Sequence, residues 1–417
     1  MQRSFPFILF ASLVLIALAD SSPAQRSAPT PLLVGYFGQW SLYDDPHYTL
    51  KNLASHGRID MLDQLNYAQG FVTGGHCSIA DRNADLDHVF KASESVSGIG
   101  DDATSSFRGN LHQLAELKLA HPRLKALISL EGRGSDFAFD ARPENRQAFV
   151  ASCVALFLKG DLAANVSAPG LFDGIDVDWE YPQGPDAENF LALLKEFRQQ
   201  MDRLRPGLKL TIAVGPSPRM YSGTDFQAVS AQVDEVGLMT YDMAGPWMQT
   251  TGFIAPLYRV PALPENRQEP SASGASLTPP RPPAAGGVSG SVQAFLTAGV
   301  PAGKILVGVP FYGYGWTQVP EAGEGVYQEG MPVDGDRPYS YIQTLFPNSR
   351  TYRDPVSQTP WLFDGDVFWT FDDPVSIHAK AAFAVEHGLG GLMIWELSND
   401  TADGSLLTAA RQGLSPQ

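Results

Sequence analysis

The sequence has little cysteine and little charge for its length. Only 2 of its 417 residues are Cys, too few for a disulfide-dense scaffold or a cysteine-rich zinc module. Charged residues make up 18%, and 29 Lys and Arg are outnumbered by 45 Asp and Glu, for a formal net charge of −16. No Lys/Arg block interrupts that acidic balance, which argues against nucleic acid, anionic membrane and acidic polymers as partners. The 8 His residues show no metal-ligand spacing, so neither a metal nor a cofactor is expected. Past the amino terminus, no apolar run is long enough to cross a bilayer. What is present is 44% hydrophobic residues with 40 Gly and 32 Pro. That composition buries a large core and excludes wholesale disorder. An uncharged partner remains.

The amino terminus has the layout of a secretory signal peptide. Residues 1–24 carry Arg3, an apolar stretch from Phe5 to Ala19, and then small residues. Cleavage fits after Ala19 or after Ala24. A membrane anchor is disfavoured because the apolar run falls short of the roughly 20 residues a span needs. The expected mature chain is therefore a secreted or periplasmic protein with no membrane segment. Cys153 lies in Ala148-Phe-Val-Ala-Ser-Cys-Val-Ala-Leu-Phe157, which reads as a buried helix. A buried free thiol is expected there rather than a bond to Cys77.

Short apolar strands alternate with helical stretches along the chain. Strands are predicted at Leu32–Phe37, Gln64–Ala68, Ala126–Leu130, Gly174–Trp179, Leu210–Val214, Glu235–Thr240, Ile305–Pro310 and Gly391–Trp395. Helices are predicted at Gly109–Ala120, Arg146–Leu158, Asp186–Arg205 and Val292–Ala298. Eight strands with intervening helices imply a closed (β/α)8 TIM barrel of the α/β class. An open doubly wound sheet is the competing arrangement, but no Gly-rich phosphate turn follows the first strand. Two regions exceed what a bare barrel needs. Residues 261–291 are too rich in Pro, Gly, Ser and Ala to pack, and read as a loop. Residues 317–373 contain Tyr and Trp and read as a small folded insertion between strands 7 and 8. Residues 25–417 are thus expected to form one barrel domain.

The chemistry concentrates in Phe172-Asp-Gly-Ile-Asp-Val-Asp-Trp-Glu-Tyr-Pro182. In a strand Asp176, Asp178 and Glu180 share one face, while Ile175, Val177 and Trp179 take the other. Three carboxylates about 7 Å apart repel and lose solvation when enclosed, so at least one holds a proton near neutral pH. A general acid requires that state. The competing explanations are a solvated acidic strand end or a metal site. Strand-like residues on the other face argue against the first, and the want of nearby His or Asn against the second.

The string Asp173-Gly-Ile-Asp-Val-Asp-Trp-Glu resembles the Asp-Gly-x-Asp-x-Asp-x-Glu signature of family 18 glycoside hydrolases, the retaining chitinases of bacterial type. The resemblance continues through Val34-Gly-Tyr-Phe, Met239-Thr-Tyr-Asp-Met-Ala-Gly-Pro-Trp247, Val307-Gly-Val-Pro-Phe-Tyr-Gly313 and Gly390-Gly-Leu-Met-Ile-Trp-Glu396. It implies that Glu180 is the acid and base of a reaction in which the substrate's own 2-acetamido group is the nucleophile. Asp178 would orient that group, with Asp176 sharing a proton behind it, and Tyr241 and Asp242 would bind it and tune the acids. Trp395 would form the floor under the sugar, and Tyr36, Met239, Trp247 and Tyr312 are further candidate substrate contacts. The implied partner is chitin or N-acetylglucosamine oligosaccharides, bound by a monomer.

Departures from the family pattern fall beside these residues. The third strand reads Ser129-Leu-Glu131-Gly132, followed by Arg133, where the family has Ser-x-Gly-Gly and often an aromatic. Asn66-Tyr-Ala-Gln69 and Tyr312-Gly-Tyr314 also differ. Glu131 and Arg133 are expected near the rim, pairing with each other or with substrate. An endo-β-N-acetylglucosaminidase acting on N-glycan cores and a non-catalytic lectin are the alternative functions. Glu180 argues against the lectin.

Overall fold

The eight apolar runs close into one parallel ring. In the computed structural model, which describes residues 30–44, 47–132, 134–259, 286–345 and 350–415, the barrel strands in chain order are Leu32–Gly38, Gln64–Thr73, Lys125–Gly132, Gly174–Asp178, Lys209–Val214, Glu235–Leu238, Ile305–Pro310 and Gly391–Trp395. Each pairs in parallel with the next, and the first pairs with both the second and the eighth. Closure leaves no edge among them. The signal peptide expected at residues 1–24, most of the Pro-rich stretch 261–291, and Arg133 lie outside the described residues.

Alternation along each strand sorts side chains between the barrel interior and the surrounding helices. On the fourth strand Ile175 and Val177 are fully buried against the helical layer. Trp179 follows the same alternation, stacking on Phe137 at 5.5 Å and meeting Phe190 edge-on at 5.7 Å. Phe190 belongs to the helix Asp186–Leu204, whose buried face repeats at three- and four-residue spacing through Leu193, Leu194, Phe197 and Met201. Asp173 stays at the start of the strand, away from the mouth. It accepts from Lys118 Nζ at 2.7 Å and from the Ala126 amide at 3.0 Å, pinning the helix Gly109–Ala120 to the third and fourth strands.

The region between the seventh and eighth strands folds as a small α+β insertion. Tyr312–Thr317 pairs antiparallel with Met331–Pro332, Arg337–Pro338 and Phe368–Thr370, and Pro360–Phe363 joins Phe368–Thr370 to Arg350–Arg353. The helix Tyr339–Leu345 lies within it. The second barrel strand runs on past Ala68 to Thr73 and turns back as the antiparallel strand His76–Ile79.

That hairpin corrects the expectation for the cysteines. Cys153 is indeed helical and fully buried. However, the hairpin lays Cys77 against the same helix, with a Cα–Cα separation of 4.9 Å, and the two are bonded. The distance lies inside the range a disulfide accepts. Neither cysteine is a free thiol.

Candidate active site

Asp176 and Asp178 alternate on one face of the fourth strand, with Asp178 at its carboxyl end. Asp176 is deepest, 1% exposed, and three hydroxyls converge on it. Tyr36 Oη donates to Oδ2 at 2.6 Å, Ser129 Oγ to Oδ2 at 2.9 Å, and Thr211 Oγ1 to Oδ1 at 2.6 Å. The register explains the convergence, because Asp176 pairs directly with Ser129 on one side and Thr211 on the other. Burial pushes the Asp176 carboxyl above the usual range, and the three donors oppose that push. Asp178, the last residue of the strand, and Glu180, two residues beyond it, are both half-buried. Tyr36 is held well above its ordinary pKa, first by burial and then by the charges of Asp176 and Asp178.

A second group forms where the chain leaves the sixth strand. Asp242 sits at φ +58°, a left-handed conformation that Asp tolerates better than most residues. Its Oδ1 accepts from Tyr312 Oη at 2.5 Å and from Tyr314 Oη at 3.1 Å. Tyr241 meets the Tyr312 ring edge-on at 6.1 Å. It approaches the seventh strand closely at Gly308, where an added Cβ would lie 3.0 Å from the Tyr241 ring and 2.2 Å from the Leu238 carbonyl. Met239 is buried beneath, in one apolar cluster with Tyr36, Tyr241 and Tyr312.

Trp395 ends the eighth strand half-buried, with the Tyr36 ring 5.3 Å away on one side and Trp40 6.0 Å away on another. Trp247 is the outlying member of the predicted set. It is 39% exposed on the rim, and its ring meets Tyr314 at 5.4 Å. Tyr36 and Tyr312 direct their hydroxyls at Asp176 and Asp242, so their polar groups support carboxylates.

Three residues here escaped the sequence reading. Thr211 looks like an ordinary β-branched strand residue, and its role appears only with the register. Trp40 lies two residues past the first strand, a position whose carboxyl-end location was the available signal. Glu396 accepts from Trp40 Nε1 at 3.2 Å and from Ser398 Oγ at 2.8 Å. Burial raises its carboxyl to about 7, against the pull of those two bonds. Among the described residues no group of three or more His, Cys, Asp or Glu is placed to hold a metal ion.

A (β/α)8 barrel with carboxylates and aromatic rings gathered at its carboxyl mouth has the layout of a barrel enzyme. The chain belongs to the glycosyl hydrolases family 18, whose model matches residues 32–400. It is 31% identical over 387 residues to chitinase C of Streptomyces lividans, covering 89% of this chain and 58% of that protein. The chain thus spans about three-fifths of that relative's length. Among solved structures it is similar to the catalytic domain of a psychrophilic chitinase B from Arthrobacter TAD20, with TM-score 0.82, 28% identity, and coverage of 92% and 95% of the two chains. It is also similar to a family 18 N-acetylglucosaminidase from Paenibacillus barengoltzii, with TM-score 0.69, 28% identity, and coverage of 92% and 99%.

Proposed function

We propose that the protein hydrolyses β-1,4 bonds in chitin and chitooligosaccharides with retention of configuration, using the substrate's 2-acetamido group as the nucleophile. The observation that carries this reading is the buried Asp176, fixed by three hydroxyls, with Asp178 at the end of the same strand and Glu180 two residues beyond. Glu180 donates its proton to the glycosidic oxygen as the bond from C1 to that oxygen breaks. The acetamido carbonyl oxygen bonds to C1 from the opposite face, giving a cyclic oxazolinium ion. Water then attacks C1 and gives a proton to the Glu180 carboxylate, and the ring opens to restore the acetamide. Two displacements at C1 retain its configuration.

Asp178 accepts from the acetamido N–H and balances its positive charge, while Asp176 holds Asp178 in place and shares its proton. Tyr241 and Asp242 bind the acetamido group, with Tyr312 fixing Asp242. The Trp395 ring carries the sugar's C–H face. Tyr36, Met239 and Trp247 complete the contacts. The relatives named as chitinases and the insertion wall, which deepens a cleft for an extended chain, support chitin as the substrate.

The protein is further inferred to be exported by the segment 1–24 and to act as a monomer with residues 25–417 as one unit. The Cys77–Cys153 bond supports an oxidising compartment. A thiazoline mimic of the oxazolinium ion tests the mechanism: competitive inhibition is expected, and its absence would contradict acetamido participation.

A further inference from the structure

The third strand brings another carboxylate to this site. Ser129 points into the barrel, since its Oγ reaches Asp176, while Ile128 and Leu130 are buried in the outer core. The second strand bulges by one residue at Gln69, but the third strand itself runs on without an inserted residue to Gly132, with Glu131 paired to Phe71. Alternation therefore places Glu131 on the same inner face as Ser129, one step nearer the mouth. It lies one residue past the last pair of the third and fourth strands, Leu130 with Val177, close enough to Glu180 to feel its charge. The chain continues past Glu180, because a Cβ at Gly134 would lie 3.0 Å from the Glu180 carbonyl. Glu131 is exposed. Enough protein surrounds it that desolvation, then the Glu180 charge, raises its carboxyl. Among the described residues no Lys, Arg or His forms an ion pair with it; Lys125 of the same strand pairs with Asp173 at the far end.

We propose that Glu131 selects a cationic, de-N-acetylated glucosamine unit on the leaving-group side of Glu180, so that partially deacetylated chitin is a preferred substrate. The proposal rests on the hydrolase reading above. The sugar that is cleaved must keep its acetyl group, because that group supplies the nucleophile, so the cation has to sit elsewhere. Tyr241 and Asp242 leave the sixth strand, Asp178 and Glu180 the fourth, and Glu131 the third. Glu131 therefore flanks the acid on the side away from the acetamido pocket, where the departing sugar lies. A carboxylate there accepts a hydrogen bond from an amide N–H, and an ammonium adds a charge pair to that bond. The neighbouring acids repel any anionic unit and favour the cation over a neutral one.

The test is digestion of a partially deacetylated chitin at mildly acidic pH, with the new chain ends sequenced. Reducing ends report the sugar that is cleaved, and new non-reducing ends report its neighbour. All new reducing ends are expected to be N-acetylated. Glucosamine at new non-reducing ends should be enriched about fivefold over substrate composition, the range of one partly solvated ion pair. The enrichment should vanish in Glu131→Gln and reverse in Glu131→Lys. It should also fall in the wild-type protein as salt is raised, a reading that needs no variant. Glucosamine at the new reducing ends would overturn acetamido participation, and no cleavage at all would overturn the hydrolase reading. Acetylated reducing ends without salt-sensitive enrichment, or with enrichment that persists in Glu131→Gln, would overturn the role of Glu131 alone.

Discussion

Replacing Thr211 by Val removes one hydroxyl at little change in side-chain volume. Thr211 supplies the hydrogen bond to Asp176 Oδ1, whereas Tyr36 and Ser129 both serve Oδ2. Asp176 is 1% exposed, so water does not replace the lost donor. A buried acceptor left without its partner costs roughly 1–3 kcal/mol, toward the upper end when it is charged. The sign with pH follows from linkage. Burial already holds the folded Asp176 carboxyl above its unfolded value. Stability from this group is therefore complete below the unfolded pKa and is lost as pH rises through the folded one. Losing a donor that favours the charged form raises the folded value further. Thr211→Val should thus cost about 1 kcal/mol while Asp176 is protonated and about 3 kcal/mol once wild-type Asp176 is ionised. Urea unfolding of both proteins across the pH range over which both stay folded measures the difference, which should grow as pH rises. A loss that does not change with pH, or no loss at any pH, would refute the idea that Thr211 acts by stabilising the Asp176 charge.

Two further outcomes follow from the same geometry. Replacing both Cys77 and Cys153 by Ala opens a loop of sequence separation 76, for which the chain-entropy relation gives about 4.5 kcal/mol; chemical unfolding of the oxidised protein and the double variant should differ by that order. Tyr312→Phe removes the closer of the two hydroxyls on Asp242 Oδ1. It should lower kcat/KM on chitooligosaccharides about tenfold, the worth of one hydrogen bond to a charged group, with the fold unchanged by circular dichroism.

The barrel was legible because each strand is a short apolar or β-branched run bounded by Gly, Pro or polar residues. The shared face of Asp176 and Asp178 was legible because a strand's period of two needs only the order Asp-x-Asp; Glu180 lies two residues past the strand's end. What depends on contacts distant in sequence was not. Thr211 is 35 residues from Asp176, and only the register between the fourth and fifth strands joins them. The pairing of Cys77 with Cys153 needed the hairpin beyond Ala68, which the alternation of Gln64–Ala68 alone does not announce. Strand ends also moved, for a local reason. The fourth strand stops at Asp178 and the sixth at Leu238, because the chain beyond each leaves the ladder to present Glu180, Tyr241 and Asp242 at the mouth. Asp173 carries the same motif yet serves structure, since it lies at the opposite end of the strand, next to Lys118.

The account's central claim is that Glu180 transfers the proton. Glu180→Gln keeps the side chain's size and its place above Asp178 while removing the proton it donates and the base it becomes. Turnover of chitooligosaccharides by this variant, measured beside its affinity for the same oligosaccharides, is the direct test. The account predicts loss of nearly all turnover with binding retained. Substantial hydrolysis by Glu180→Gln would contradict it.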